Sequence, residues 1–503
     1  MKKTKGASRN RYLGTYQVSG DKSLVGELEL NAEGTVLRVH ADERPEVENV
    51  AHVKGIAYTG DYITLIDCLS QGVRWHQSKD GSFRHHADLL PHYVAIGSYH
   101  LDPEVPCIKA IHFTATDLHD LFYDFDAFGH VTDASPIIDS VLAERRRMRP
   151  VKAGDHPQVF YYTGKDCLIE VPTSIGKISV HHRPSYSLGG PDGVYIKNRM
   201  VVSIEPSEPA TFSETVQRMY DISCFLSIIA GRAQGIKHIQ LETTQSNEGI
   251  PHMLSVFPSF PWKTGGKGTY YKPHPADVPL DPIRAPEEFR SVLANWIERH
   301  ASWHTSRWRC LGCLRKANDY DFDRLVAAAN MFDILPAEAV PAKNQLSPEL
   351  AEAKLLCKAI LKKLPKGVER DSVLGALGRM GQPSLPKKVV HRATFVERQL
   401  GTKFPDLAFV VGIAVKLRNY FVHGSLDGLE YEKLEPFLPF LTDALEFVFA
   451  ASDLIEAGWN AQEWSTKSLG SGHSFTRFLA GYDYLIGELR VAVTPAAIGT
   501  VQR

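Results

Sequence analysis

No charge of either sign predominates in this chain of 503 residues, where 57 Lys and Arg oppose 58 Asp and Glu for a formal net charge of −1. That balance excludes a protein that holds nucleic acid through a global positive field, so any such contact has to come from a local patch. Long apolar runs are missing as well. The longest, Leu407 to Val415, is far shorter than the roughly 18 residues that a membrane-crossing helix needs. The basic opening MKKTKGASRNRYLGTY has no apolar segment behind its charges, so it does not read as a secretory signal, and a cytoplasmic location is expected. Cysteine is sparse: seven are scattered at positions 68, 107, 167, 224, 310, 313 and 357, an odd count that suits reduced thiols and not a disulfide framework. What remains is 43% apolar and 23% charged, ordinary for a globular protein and unlike collagen-like or disordered chains. At roughly 100 to 200 residues per domain, the length predicts more than one domain.

Gly, Asp, Asn and Pro divide residues 1–260 into short runs rich in Val, Ile, Tyr and Thr, the pattern of strands. Leu24 to Leu30 and Thr35 to His40 flank Asn31-Ala32-Glu33-Gly34 as a hairpin. Further strands are predicted at Tyr62 to Cys68, Tyr93 to Tyr99, Ile108 to Thr114, Val159 to Val171, Lys177 to His182, Val194 to Glu205 and Ile236 to Glu242. One helix interrupts them, opening at Thr211 with Glu214 in a capping-box position and running to Ile229. Gln71 to His92 carries His76, His85, His86 and His92 at spacings that match no metal template, and it reads as a solvated loop.

Phe257 to Pro286 is rich in Pro and Gly and reads as an interdomain linker over 261–286. Within it, Lys263 to Gly268 lacks the spacing of a phosphate-binding loop. Beyond it the apolar period changes to that of helices. Phe322 to Phe332 share a face and stop before Pro336. Ser347 caps a helix with Pro348 at its first position, expected to bury Leu350, Cys357, Ile360 and Leu364. Another helix runs from about Lys387 to Leu400, and Asp406 starts one that is apolar all round as far as Val415. A last long helix carries Phe437, Leu441, Ala444, Val448, Ala451 and Ile455. The prediction is an α+β protein: a β-rich domain over 1–260, the linker, an all-α bundle over 287–460, and an appendage over 461–503 that follows a Gly/Ser hinge near Leu469 to Gly472.

The informative string closes the most apolar helix: Lys416-Leu417-Arg418-Asn419-Tyr420-Phe421-Val422-His423-Gly424. Gly424 is a helix-end signal that puts His423 in the last turn. Asn419 and His423 are four apart and share a face, whereas Arg418 and His423 are about 140° apart around an ideal helix. Arg418 has to bend round, or serve the site of a second chain. A His before Gly at a helix end is also a common cap, so spacing alone does not establish catalysis.

The string R-N-Y-F-V-H-G resembles the Arg-x4-6-His motif, with its usual polar residue after Arg, of the HEPN superfamily. The wider layout is similar to that of ApeA-like HEPN anti-phage defence proteins, in which a β-rich domain with segments like Gly26 to Leu30 and Tyr62 to Asp67 precedes a HEPN bundle. The resemblance implies a metal-independent endoribonuclease whose site forms at a HEPN homodimer interface, with abortive infection as its output. Carried onto this sequence, it puts Arg418, Asn419 and His423 in the site. An acidic residue is expected on an earlier helix; Asn330 stands where a Glu is anticipated, and Asp333, one turn on, is the substitute.

Those residue types suit RNA cleavage on chemical grounds too. RNA carries its own nucleophile, the 2′-hydroxyl, so proton transfer, in-line positioning and charge stabilisation suffice without a cofactor. A histidine can give or take the proton near neutral pH, and an arginine can donate two hydrogen bonds to the phosphoryl oxygens. The predicted ends are 2′,3′-cyclic phosphate and 5′-hydroxyl, with tRNA among the candidate substrates. Lys416 and the cluster Arg145-Arg146-Arg147 are candidate phosphate contacts, and a phage-derived trigger or inhibitor is a candidate partner of the β-rich domain. Two other readings stay open: a non-catalytic module that binds RNA or a nucleotide through the same residues, and a zinc-dependent nucleic-acid binder using His300, His304, Cys310 and Cys313. The second requires the chain to turn near Thr305-Ser306, because along one helix the outer two ligands lie about 20 Å apart.

Overall fold

The computed structural model describes residues 10–494 except 20–21, 32–33, 48–49, 78, 80–82, 188, 192, 248–249, 261–270, 344, 425–429 and 468–469. The chain divides into two compact units, one of residues 1–230, 234–264 and 272–297 and the other of residues 231–233, 265–271 and 298–503. Among the described residues no helix is long and apolar enough to cross a membrane.

The first unit is built on a closed barrel. Its strands are β1 (Asn10–Ser19), β2 (Lys22–Leu30), β3 (Val36–Ala41), β4 (His52–Ala57), β5 (Tyr62–Gln77) and β6 (Phe83–Gly97). Because β6 pairs with both β3 and β5, the order β6-β3-β2-β1-β4-β5 returns on itself. The alternation that predicted the first hairpin fills the interior: Leu28, Leu37 and Val39 are buried there with Tyr16, Val53 and Ile63. Tyr16 lies directly across from Gly55, where a Cβ would overlap its ring.

The sheet continues from the outer side of β6. The added strands are β7 (Ile108–Ala115), β10 (Cys167–Thr173), β11 (Gly176–His182), β14 (Met200–Glu205), β15 (Ile236–Asn247) and β16 (Ile250–Pro258), in the order β6-β16-β15-β7-β14-β11-β10. Helix α1 (Leu118–Leu121), the two-stranded sheet of β8 (Phe128–Val131) with β9 (Val159–Tyr162), and α2 (Ser135–Arg146) fall in the loops, as does the small hairpin of β12 (Ser185–Tyr186) with β13 (Ile196–Lys197). Helix α3 (Phe212–Ala230) packs on β7. Its expected capping box is formed: the Thr211 amide donates to Glu214 Oε2 at 3.0 Å, and the Glu214 amide to Thr211 Oγ1 at 3.4 Å.

Three expectations about this unit are corrected. Gln71 to His92 is not a loop: its described residues belong to β5 and β6, in which Trp75 pairs with His85 and Arg74 with His86; around Trp75 and Phe83 these strands are exposed and lack the apolar alternation of a buried strand, whereas Ala87 and Leu89 are buried in the barrel. The proline-rich segment is not wholly a solvated linker. Residues 261–270, including the Lys263 to Gly268 stretch, lie outside the described residues, but Val278 and Leu280 beyond them are buried. Finally, helix α4 (Pro286–Glu298) belongs with the sheet as far as residue 297 and not with the bundle, its Phe289 and Trp296 packing edge-on to Phe225 of α3.

The second unit is helical. Its helices are α5 (His300–Arg315), α6 (Phe322–Asp333), α7 (Pro348–Lys363), α8 (Val368–Arg379), α9 (Leu385–Leu400), α10 (Leu407–His423), α11 (Tyr431–Leu434), α12 (Leu438–Ala457), α13 (Ala461–Thr466) and α14 (Ser474–Val493). Helices α6, α9, α10 and α12 pack on one another around Leu325, Val396, Val411 and Leu445. The expected appendage is part of this unit: Phe478 of α14 stacks on Phe404, and Tyr482 donates its hydroxyl to the Pro405 carbonyl at 2.9 Å. Of the hinge expected near Leu469 to Gly472, residue 469 lies outside the described residues.

Helix α7 departs from its pattern. It pairs with α8, and neither helix has a buried residue; Leu350, Cys357, Ile360 and Leu364, expected in a core, are all exposed. At the centre of the bundle a charge takes the place of an apolar side chain. Asp453 accepts two hydrogen bonds from Arg307, at 2.8 and 2.9 Å, and both side chains are fully buried. The Trp303 ring lies against the guanidinium groups of Arg299, Arg307 and Arg392.

Candidate active site

Helix α10 ends where the sequence predicts. Gly424 adopts φ 76°, the left-handed conformation, and its amide donates to the Tyr420 carbonyl at 2.8 Å. This fixes His423 as the last helical residue and leaves it exposed beside Val422 and Gly424. Among the described residues, no hydrogen bond holds its imidazole. Tyr420 stacks on Tyr431 and Phe421 on Phe322, so the helix end is braced by aromatic rings on both sides of the motif.

Arg418 points elsewhere. Its Nη2 donates to Asn330 Oδ1 on α6 at 2.8 Å, and its Nη1 donates to Asn419 Oδ1 at 3.1 Å. Its Nε is buried and has no partner among the described residues. Two amide oxygens orient the guanidinium while leaving its charge in place, because neither is a carboxylate. Asn419 therefore serves Arg418 and forms no hydrogen bond with His423 among the described residues, although the two share a helix face. The structure brings Arg418, Asn419 and Asn330 together, and His423 stands apart at the exposed helix end.

Asp333 does not take the place of the expected acid at Arg418. At the C-terminal end of α6 it faces Lys388, whose Nζ donates to the Asp333 carbonyl at 2.8 Å and lies 3.7 Å from its carboxylate. Asn330, which the sequence offered only as the place where an acid is missing, is the residue that meets Arg418. Lys416 is exposed on α10. Arg145, Arg146 and Arg147 lie at the exposed end of α2 in the sheet unit, where Arg146 is tied to Asp139 at 2.9 Å and to the Val151 carbonyl.

The four-residue zinc set is corrected by the course of α5. The chain turns at Arg299, before the first ligand, and then runs as one helix from His300 to Arg315. His300 and Cys313 are thus about 20 Å apart along its axis. His300 Nδ1 hydrogen-bonds with Arg307 Nη1 at 3.2 Å, and Cys313 is buried, which pushes its thiol well above the usual range. The four side chains do not surround a common point.

Residues 11–296 match the family model of ApeA N-terminal domain 1, which alone spans more than half of the chain, and residues 326–463 match that of the Apea-like HEPN domain. The chain belongs to the ApeA-like HEPN family. No curated protein and no solved structure gives a significant match. The N-terminal match stops within one residue of the boundary between the two units, and the HEPN match contains Asn330, Arg418, Asn419 and His423. The HEPN domain suggests RNase-type or nucleotide-related activity for the chain.

Proposed function

We propose that this ApeA-like HEPN protein is a metal-independent endoribonuclease acting in anti-phage defence by abortive infection, with tRNA among its substrates. The observation that carries the reading is the state of Arg418, a guanidinium oriented by Asn330 and Asn419 that forms no ion pair with a carboxylate among the described residues. Such a group is prepared for an anion, and a phosphodiester is the anion a HEPN site would meet. His423, exposed at the end of the same helix, supplies the imidazole.

The reaction follows from these groups. The 2′-oxygen attacks phosphorus in line with the 5′-oxygen, forming the 2′-O–P bond and breaking P–O5′. His423 accepts the 2′-hydroxyl proton and, as the imidazolium so formed, gives it to the leaving 5′-oxygen, leaving a 2′,3′-cyclic phosphate and a 5′-hydroxyl end. Arg418 stabilises the charge on the phosphoryl oxygens. The separation of Arg418 from His423 around α10 favours a site assembled by two chains at their helix ends, so that a homodimer is part of the mechanism.

A silent binding module would use the same arginine without turnover. The two readings separate on the His423→Ala protein: loss of RNA cleavage with RNA affinity retained supports the nuclease, and binding by a wild-type chain that never cleaves supports the module.

A further inference from the structure

The nuclease chemistry leaves unused a cleft of about 820 Å3 in the sheet unit, lined among others by Tyr162, His182, Arg183, Tyr186, Tyr195 and Arg199. Tyr186 and Tyr195, at the β12–β13 hairpin, are 66% and 57% exposed. Arg183 and Arg199 are exposed and form no ion pair among the described residues, and the lining carboxylate, Asp166, already accepts from the Tyr162 hydroxyl at 3.1 Å. The lining is therefore aromatic and cationic.

His182 gives the cleft a second, independent mark of a ligand. It is 2% exposed and edge-on to Phe128 and Tyr162. The Asn198 amide nitrogen lies 2.9 Å from its Nδ1. Nε2 of the same ring is buried with no partner among the described residues. Burial also holds the ring below its ordinary pKa, which keeps it neutral. A buried ring nitrogen without a partner is rare in a folded protein and calls for an explanation.

We propose that this cleft is an RNA-binding site for a single-stranded segment, whose bases stack on the tyrosines and whose phosphates meet Arg183 and Arg199, with His182 Nε2 left as a hydrogen-bonding partner for the bound strand. Aromatic rings under bases and arginines on phosphates are how single strands are held generally, and a duplex, its bases covered, cannot use the rings. The inference rests on the reading of the chain as acting on RNA, and it adds a substrate-holding site in the unit that lacks the HEPN motif.

The test uses the full-length His423→Ala chain and a fluorescent ten-nucleotide oligouridine, beside an RNA duplex of equal length. Adding Tyr186→Ala or Arg183→Glu, both at exposed positions that leave the fold intact, should each weaken binding of the single strand about tenfold. Arg183→Glu should also flatten its salt dependence. Affinity unchanged by both substitutions, or no binding by the parent chain, overturns the proposal. The two readings fail separately: cleft variants that lose binding in a chain whose wild type never cleaves sink the nuclease alone, whereas a wild type that cleaves and cleft variants that bind normally sink the cleft alone.

Discussion

Arg418 donates from Nη2 to Asn330 Oδ1 across α6 and α10 at 2.8 Å, a contact between residues 88 positions apart. An amide sets the direction of the guanidinium without cancelling its charge. Asn330→Ala should therefore lower kcat about tenfold, the scale of one hydrogen bond to a charged group. Asn330→Asp should keep kcat closer to wild type while raising KM for RNA, because the new carboxylate holds Arg418 in place and competes with the phosphate. Steady-state kinetics on one RNA substrate separate the two, and identical profiles for both variants would remove the positioning role.

A site shared by two chains predicts complementation. Arg418→Ala and His423→Ala proteins, each inactive alone, should regain cleavage when unfolded together and refolded as a mixture, since mixed dimers contain one intact Arg418 and one intact His423. A mixture as inactive as its parts would mean that each chain needs its own pair.

Asp453 is the electrostatic keystone of the helical unit. Burial pushes its carboxyl up, but Arg307, Arg299 and Arg392 outweigh burial and hold it below its ordinary range. The stability it contributes is present above the usual carboxylate range and is lost as pH falls through the depressed value. Asp453→Ala strands buried Arg307 and should cost about 3 to 5 kcal/mol, read as a lower midpoint in denaturant unfolding at pH 7. A change below 1 kcal/mol would contradict this role.

Asp443 behaves in the opposite sense. Burial and the Glu446 carboxylate push it up to about 7, against the Tyr320 hydroxyl and the arginines Arg324 and Arg477. A carboxyl raised in the folded state weakens the fold as pH rises from the ordinary carboxylate value toward 7. Asp443→Asn, which keeps an oxygen for Tyr320, should raise the thermal midpoint by a few degrees at pH 8, with the gain shrinking toward pH 5. Calorimetry at both values checks it, and a gain independent of pH would refute it.

Much of the architecture was readable where burial is one-sided. The alternation in Leu24 to His40 and the capping box at Thr211 carry their structure locally, as does the apolar run before Gly424. What escaped depends on partners distant in sequence. The apolar period of α7 announces a buried face, yet among the described residues it stays open beside α8, with Leu355 and Ile360 68% and 62% exposed. In the segment after residue 271, prolines masked the apolar residues that pack, Val278 and Leu280. At the site, Arg418 and His423 were legible from the motif, whereas spacing favoured Asn419 against His423, and the actual partners of Arg418 emerge only once α6 lies beside α10.

The central claim is metal-independent cleavage by Arg418 and His423. Its most direct test is incubation of the full-length protein with tRNA and total RNA in EDTA, beside His423→Ala and Arg418→Ala, in phage-infected as well as uninfected extract, with the ends of the products mapped. The account predicts fragments ending in 2′,3′-cyclic phosphate and 5′-hydroxyl that vanish in both variants. Cleavage that requires a divalent ion, leaves 3′-hydroxyl ends, or survives either substitution would contradict it.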